Sequence, residues 1–250
     1  MLLLTHIYED GTYRLTNTET HETNQITRQS LEAMHIPIVG VFRNPDMSIF
    51  DIHKVSSAVD YGNDLDVIID NIKTPELKMF ASVCKRIIPS YFFSVPASTS
   101  GKFHPASNIG QGGLVRHTKV AVRIAYEIIK TQSIGNVFTD DEKDLILISL
   151  MLHDGLKEGF PKEKYTKFDH PILAANFVKD KANLTELTSE EVKLISTNIS
   201  SHMGEWNKSD YSDITLPLPK NKYQKMVHMC DLLASRKFIN VEFDGNDIIM

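Results

Sequence analysis

Six histidine and aspartate side chains recur along the chain in a spacing that could support metal chemistry. They are His117, His153, Asp154, His170, His202 and Asp231. Each lies on a predicted helix with an apolar face, or at the end of such a helix, so folding would bury it. Burial of an ionisable group costs several kcal/mol unless the group is paired or binds a metal. A metal site satisfies all six at once, and imidazole with carboxylate suits Mn, Fe, Co, Ni or Zn, whereas a carboxylate-rich half can take Mg.

Two further side chains are candidates for catalysis. Lys157 follows Asp154 by about one helical turn, so its ammonium could stabilise negative charge in a transition state at the metal. The alternative role of Lys157 is to complement the dipole at a helix C-terminus. His104 lies in a loop rich in proline and glycine, residues 94–113, and could protonate a leaving oxygen or hold phosphate. The alternative for His104 is an ordinary surface histidine.

Basic and aromatic residues near these positions bear on the substrate. Three basic clusters favour an anionic substrate, although each could equally be a solvated helix face. Trp206 and Tyr211 could stack a nucleobase, with core packing or a loop anchor as the alternative. His228, one turn before Asp231, could orient that carboxylate. The clusters are Arg116, Lys119 and Arg123; Lys162, Lys164 and Lys167; and Lys220, Lys222 and Lys225.

The periodicity of apolar residues predicts a mainly α protein. Residues 63–250 form the predicted catalytic domain, in which helices carry or precede each candidate ligand. Two capping boxes, Thr139 with Glu142 and Thr188 with Glu191, predict two helix starts. Residues 1–62 form a predicted small N-terminal module with some β-structure, including a β-like run over residues 36–42.

Composition and charge narrow the classes of protein. The net charge of −5 argues against a protein that wraps long nucleic acid through a uniformly basic surface. Cys84 and Cys230 lie far apart and predict buried thiols rather than a disulfide. We expect neither a signal peptide nor a membrane span, and therefore a cytoplasmic protein. Homo-oligomeric assembly stays open.

Taken together, the six residues resemble the pattern H…HD…H…H…D of the HD-domain superfamily of metal-dependent phosphohydrolases. The similarity covers about residues 75–240. The strings GQGGLVRHT, HDGLK, SHMGEW and HMCDLLASRK are similar to bacterial HD-domain proteins related to 3′ to 5′ exoribonucleases. The resemblance implies an HD-domain helical bundle, and the family has a lysine at the position of Lys157.

The resemblance also implies how the ligands divide between two divalent metal ions. His117, His153, Asp154 and Asp231 would hold one ion, and Asp154 would bridge to a second ion held by His170 and His202. The implied activity is a phosphodiesterase in which a metal-bound hydroxide attacks phosphorus. The implied substrates are nucleotides, cyclic nucleotides or short single-stranded oligonucleotides.

Two other functions remain open. Di-iron oxygenases of the same superfamily use essentially the same six ligands and a similar lysine, so the ligand pattern does not separate them from the hydrolases. A non-catalytic nucleotide-binding module is a third reading, but such a module is expected to lack ligands. Because all six are present here, the binding module is disfavoured. The basic clusters and the strings similar to exoribonuclease relatives favour the hydrolase over the oxygenase.

Overall fold

The computed structural model divides the chain into two compact units. One comprises residues 1–62 with residues 79–87, and the other comprises residues 63–78 with residues 88–250. The predicted domain boundary at residue 62 stays a prediction, because residues 52–64 lie outside the described residues. The residues that the structure describes are 2–7, 12–17, 22–27, 41–43, 49–51, 65–98, 101–102, 104–239 and 241–249.

Helices dominate the described residues, so the predicted mainly α class is confirmed. Short 3-10 helices lie at Ser90–Phe93, Ala106–Asn108 and Ala182–Leu184. The α-helices are α1 (Asp66–Asp70), α2 (Pro75–Ile87), α3 (Gly113–Lys130), α4 (Gln132–Gly135), α5 (Asp140–Leu152), α6 (His170–Lys181), α7 (Ser189–Ser200) and α8 (Lys222–Ala234).

Strands occur near both ends of the chain. β1, β2 and β3 form an antiparallel sheet in that order, β4 pairs with β5, and β6 pairs with β7. Of the predicted β-like run over residues 36–42, only the last two residues are described, and they lie in β4. The strands are β1 (Leu2–Ile7), β2 (Tyr13–Asn17), β3 (Thr23–Ile26), β4 (Val41–Arg43), β5 (Ile49–Asp51), β6 (Phe243–Asp244) and β7 (Asp247–Ile248).

Local sequence signals start the helices where they were predicted. Thr139 and Glu142 form a reciprocal capping box that opens α5, and Thr188 and Glu191 do the same for α7. The side chain of Asn221 caps α8 by accepting two backbone N–H groups. Each cap satisfies backbone donors that have no partner inside the helix. The capping boxes inferred from the sequence are therefore confirmed.

Helix α5 is the central helix of the second unit. Residues 144–152 are buried on every side of it, as expected for a stretch in which all residues except Asp144 and Ser149 are apolar. Helices α3, α7 and α8 pack against α5, and α6 packs against α7. The C-terminal end of α5 therefore points the His153–Asp154 doublet into the interior. None of the described helices combines the length and apolar character needed to cross a membrane.

Candidate metal centre

Five helices bring the six predicted ligands together in one place. His117 lies on α3, and the His153–Asp154 doublet ends α5. His170 is the first residue of α6, and His202 lies two residues beyond α7. Asp231 lies in the last turn of α8 and completes the set. Their donor atoms form three overlapping groups that could hold metal ions.

The first set of donors, which we call site A, consists of His117, His153, Asp154 and Asp231. His117 Nε2 lies 2.9 Å from Asp231 Oδ1 and 3.4 Å from His153 Nε2. His153 Nε2 lies 3.4 Å from Asp231 Oδ1 and 3.5 Å from Asp154 Oδ2. With metal–ligand bonds of about 2.1 Å, neighbouring donors lie about 3.0 Å apart in an octahedron and about 3.4 Å apart in a tetrahedron. His117 Nε2 and Asp154 Oδ2 lie farther apart, at 3.8 Å, so the donors of site A are close enough together that they could hold one metal ion after a small adjustment.

The second set of donors, site B, uses the other carboxylate oxygen of Asp154. His170 Nε2 lies 2.9 Å from Asp154 Oδ1 and 3.3 Å from His202 Nε2. His202 Nε2 lies 3.7 Å from the same Oδ1. The two carboxylate oxygens of Asp154 thus face different donors, Oδ2 those of site A and Oδ1 those of site B.

Backbone carbonyl groups set the tautomers of three ligand histidines. Because a carbonyl oxygen can only accept a hydrogen bond, each Nδ1 carries a proton, and in the neutral ring Nε2 presents its lone pair to the site. Metal-ligating histidines are held this way by their other ring nitrogen. The Nδ1 acceptors lie three residues earlier in each case, at Leu150 for His153 (2.6 Å), Lys167 for His170 (2.6 Å) and Ile199 for His202 (2.7 Å).

The same tautomers create a need for a cation. In the neutral ring, His170 Nε2 presents a lone pair to the carboxylate oxygen Asp154 Oδ1 only 2.9 Å away. Asp154 Oδ1 is buried and accepts no hydrogen bond from the described residues. Two acceptors at this distance repel each other unless a proton or a metal ion lies between them. Buried His/Asp clusters that could hold a metal ion are therefore present, and their imidazole and carboxylate donors fit the metals predicted from the sequence.

Without a metal, protons and lysine partly balance the carboxylates. Burial opposes the charged form of Asp154, yet Lys157 and His153 hold its pKa well below the usual range. Burial likewise lowers the pKa of His153, but Asp154 and Asp231 outweigh that effect and raise it to about 10. Burial and the charge on His153 lower the pKa of His202 to about 3. The His153 imidazole therefore carries a proton at neutral pH, in the place where a metal ion would bind.

Lys157, the predicted catalytic lysine, lies beside Asp154. Its Nζ contacts Asp154 Oδ2, and both residues face the same cleft. Tyr91 anchors the segment that carries Lys157, because its hydroxyl donates to the Gly159 carbonyl (2.8 Å) and accepts from the Glu158 N–H (3.2 Å). Tyr91 was not singled out in the sequence, since it lies more than 60 residues away from this segment.

His104 also reaches the site. Its ring centroid lies 5.1 Å from that of His117 in an edge-on arrangement, and its Nδ1 is buried without a partner among the described residues. Burial, followed by the charges of His117 and Lys157, lowers the pKa of His104 to about 3. His104 is therefore a neutral side chain beside site A rather than an ordinary surface histidine.

The two sites open into a cleft of about 570 Å³, which we call the metal cleft. This volume lies within the range of about 300–1,000 Å³ typical of small-molecule sites. A second cavity, of about 620 Å³, lies along α6 and α7 and contains none of the six ligands. The metal cleft is lined by Ala97, Ser98, His104, Asp154, Lys157, Tyr165, Thr166, His170, His202, Met203, Trp206, His228, Asp231, Leu232, Ser235 and Arg236.

The three basic clusters do not line the metal cleft within the described residues. Lys119 is buried and donates to the Asn246 carbonyl in the β6–β7 turn and to the Asp247 carboxylate at the start of β7. Lys167 and Lys222 pair with acidic side chains on the protein surface. Side chains and backbone groups of the protein itself thus bind these three cations, and none of the nine cluster residues contributes to the lining of the metal cleft.

Arg236 is the cleft cation that the sequence analysis missed. Its guanidinium carbon lies 5.6 Å from the centroid of the Trp206 ring, which also lines the metal cleft. Arg236 lies within the string HMCDLLASRK, five residues after Asp231 and just past the end of α8, but its role was not inferred from the sequence. Tyr211, which the sequence suggested as a base-stacking residue along with Trp206, is 98% exposed and lies outside the cleft lining.

The sequence suggested that His228 orients the Asp231 carboxylate, but in the structure His228 has other partners. Its Nδ1 donates to the backbone carbonyl of His202 (2.7 Å), and its Nε2 lies 3.2 Å from a carboxylate oxygen of Glu205. Gly204 makes this packing possible, because a Cβ at that position would overlap the His228 ring. His228 therefore supports the site B ligand His202.

No family model, no curated protein and no solved structure matches this chain.

Proposed function

We propose that this protein is an HD-type metal-dependent phosphohydrolase, a phosphodiesterase that acts on nucleotides, cyclic nucleotides or short single-stranded oligonucleotides. The observation that carries the proposal is the Asp154 carboxylate, whose two oxygens face two separate sets of donors. Two metal ions held on one bridging carboxylate suit phosphodiester hydrolysis, because they can act on both the attacking and the leaving oxygen.

The two sites would bind the metal ions, and Lys157 would stabilise charge. Site A would hold one divalent ion and site B a second, of Mn, Fe, Ni, Co, Zn or Mg. When bound, the ions would activate water and neutralise charge on the phosphoryl oxygens. Lys157, whose ammonium faces the cleft beside Asp154, would stabilise the negative charge that develops on phosphate.

His104 would serve as a hydrogen-bonding group for the phosphate or the leaving oxygen. Its pKa of about 3 means that the ring is neutral at pH 7. A neutral ring can donate through one nitrogen, but it holds no extra proton to release. We therefore propose that His104 positions phosphate rather than acting as the general acid suggested by its place in the sequence.

A hydrolysis assay tests the proposal directly. Purified protein would be incubated with each of the six metals and a panel of cyclic nucleotides, dinucleotides and short RNA strands. The matched control is Asp154→Asn, which keeps the side-chain size but removes the bridging charge. We expect diester hydrolysis by the wild-type chain and loss of metal-dependent activity in the variant. No hydrolysis by the wild type with any metal would refute the phosphohydrolase.

The di-iron oxygenase is the enzyme that the six ligands alone do not separate from a hydrolase. Loading with iron in air, followed by optical and EPR spectroscopy, distinguishes the two. A mixed-valent centre that reacts with O₂, together with no diester hydrolysis, would favour the oxygenase. Nucleotide binding without any turnover would instead favour the non-catalytic binding module.

A further inference from the structure

We infer that Trp206 and Arg236 form a platform on which the base of a nucleotide substrate stacks while its phosphate lies at the metal sites. The inference rests on the proposed function and deepens it, because it names the chemical group that the enzyme recognises beyond phosphate. It makes Trp206 and Arg236 specificity-determining residues.

The first observation is that the Trp206 indole is partly exposed in the wall of the metal cleft. Trp206 is 46% exposed although its ring lines the metal cleft. Aromatic side chains open to a cleft gain free energy when a flat ring covers them, and every base offers such a face. Tyr165 is a second aromatic in the same lining and is 59% exposed.

The second observation is a cation that is fixed against the indole. Arg236 Nε donates to the Leu232 carbonyl (3.1 Å), and its Nη2 donates to Ser235 Oγ (2.8 Å). These bonds hold the guanidinium 5.6 Å from the Trp206 ring centroid. A guanidinium fixed beside an aromatic ring in this way combines a stacking surface with a positive charge, which suits a nucleobase attached to phosphate.

The third observation is the connection between this platform and site B. Trp206 follows the ligand His202 by four residues, and the His228 ring lies 6.3 Å from the indole centroid. His228 also donates to the backbone carbonyl of His202. His228 therefore contacts both Trp206 and the predicted ligand His202. This shared contact keeps the base subsite and the phosphate subsite at a constant separation.

The sole tryptophan of the chain provides a direct test. Adenosine 5′-monophosphate and tetraadenylate would be titrated in Mg²⁺ while tryptophan fluorescence is recorded, with ribose 5-phosphate as the probe that lacks a base. The monophosphate contains no phosphodiester, so its binding is measured without turnover. We expect quenching by adenosine 5′-monophosphate or tetraadenylate and none by ribose 5-phosphate.

Variants separate stacking from a structural role of the indole. Calorimetric titration should show that Trp206→Leu weakens binding of adenosine 5′-monophosphate by about 10-fold or more, whereas ribose 5-phosphate binds as before. Trp206→Tyr should restore most of the affinity because it restores an aromatic face. Tyr211→Ala, an aromatic deletion outside the cleft lining, should change neither ligand.

Two results would overturn the inference. One is quenching by ribose 5-phosphate as strong as that by adenosine 5′-monophosphate, and the other is unchanged nucleotide affinity in Trp206→Leu. Neither result depends on hydrolysis, so the proposed function is judged separately by diester cleavage. Cleavage with no quenching by base-bearing ligands would keep the phosphodiesterase and reject the platform.

Discussion

Substitution of His170 by alanine is expected to reduce the bound metal from two ions per chain to one. Site B has three donor atoms, namely Asp154 Oδ1, His170 Nε2 and His202 Nε2. The substitution leaves two of them, whereas all four donors of site A remain. Metal content should therefore fall by one ion, and site A should still fill.

The expected size of the effect follows from the distances. His170 Nε2 lies 2.9 Å from Asp154 Oδ1 and 3.3 Å from His202 Nε2, so it is central to site B. Loss of a residue that only orients a metal ligand weakens metal binding by about 10–100-fold. Because His170 is a predicted ligand itself, we expect the dissociation constant of the site B ion to rise by more than about 100-fold. Site A should change by less than about 10-fold.

Equilibrium dialysis against Mn²⁺ followed by metal analysis measures both constants. His104→Ala is the matched control, because His104 also lines the metal cleft but belongs to neither site. Circular dichroism would establish that both variants remain folded. Two tightly bound ions in His170→Ala, or the same loss of metal in both variants, would refute the division into sites A and B.

Three other predictions follow from particular contacts. Lys157→Met should lower kcat for diester hydrolysis by about 10²–10³-fold while metal content is retained. The control is Lys162→Met, because Lys162 pairs with Glu158 on the surface, and an equal loss of kcat in this variant would contradict the prediction. Gly204→Ala should lower the melting temperature more than Gly245→Ala in thermal denaturation; both glycines have φ of 57°, but only at Gly204 would a Cβ meet another side chain. The metal-free protein should lose stability between about pH 6.5 and 10, by about 1.4 kcal/mol per pH unit, since folded His153 keeps its proton to a pKa of about 10. Urea denaturation in EDTA measures this slope, and a flat profile would speak against a protonated His153.

Much of the fold was accessible from the sequence because its signals are local. The capping boxes at Thr139 and Thr188 act over three residues, and both open helices in the structure. The buried end of α5 followed from the apolar residues before His153, which Ser149 alone interrupts over residues 145–152.

The sequence by itself determined the types of the six predicted ligands and the helices that carry or precede them. The hydrogen bonds that set the tautomers of three histidines are local, with acceptors three residues earlier, but they were seen only in the structure. Only the tertiary structure decided which oxygen of Asp154 faces which histidines, since that depends on how the ends of five helices meet. It also decided that Lys119 is engaged by the β6–β7 turn, and that Arg236 rather than the basic clusters lines the cleft. The physical reason is the distance along the chain between interacting residues. Caps and i−3 hydrogen bonds join residues that are close in the sequence, whereas a shared metal cleft requires packing between helices that lie far apart in the chain.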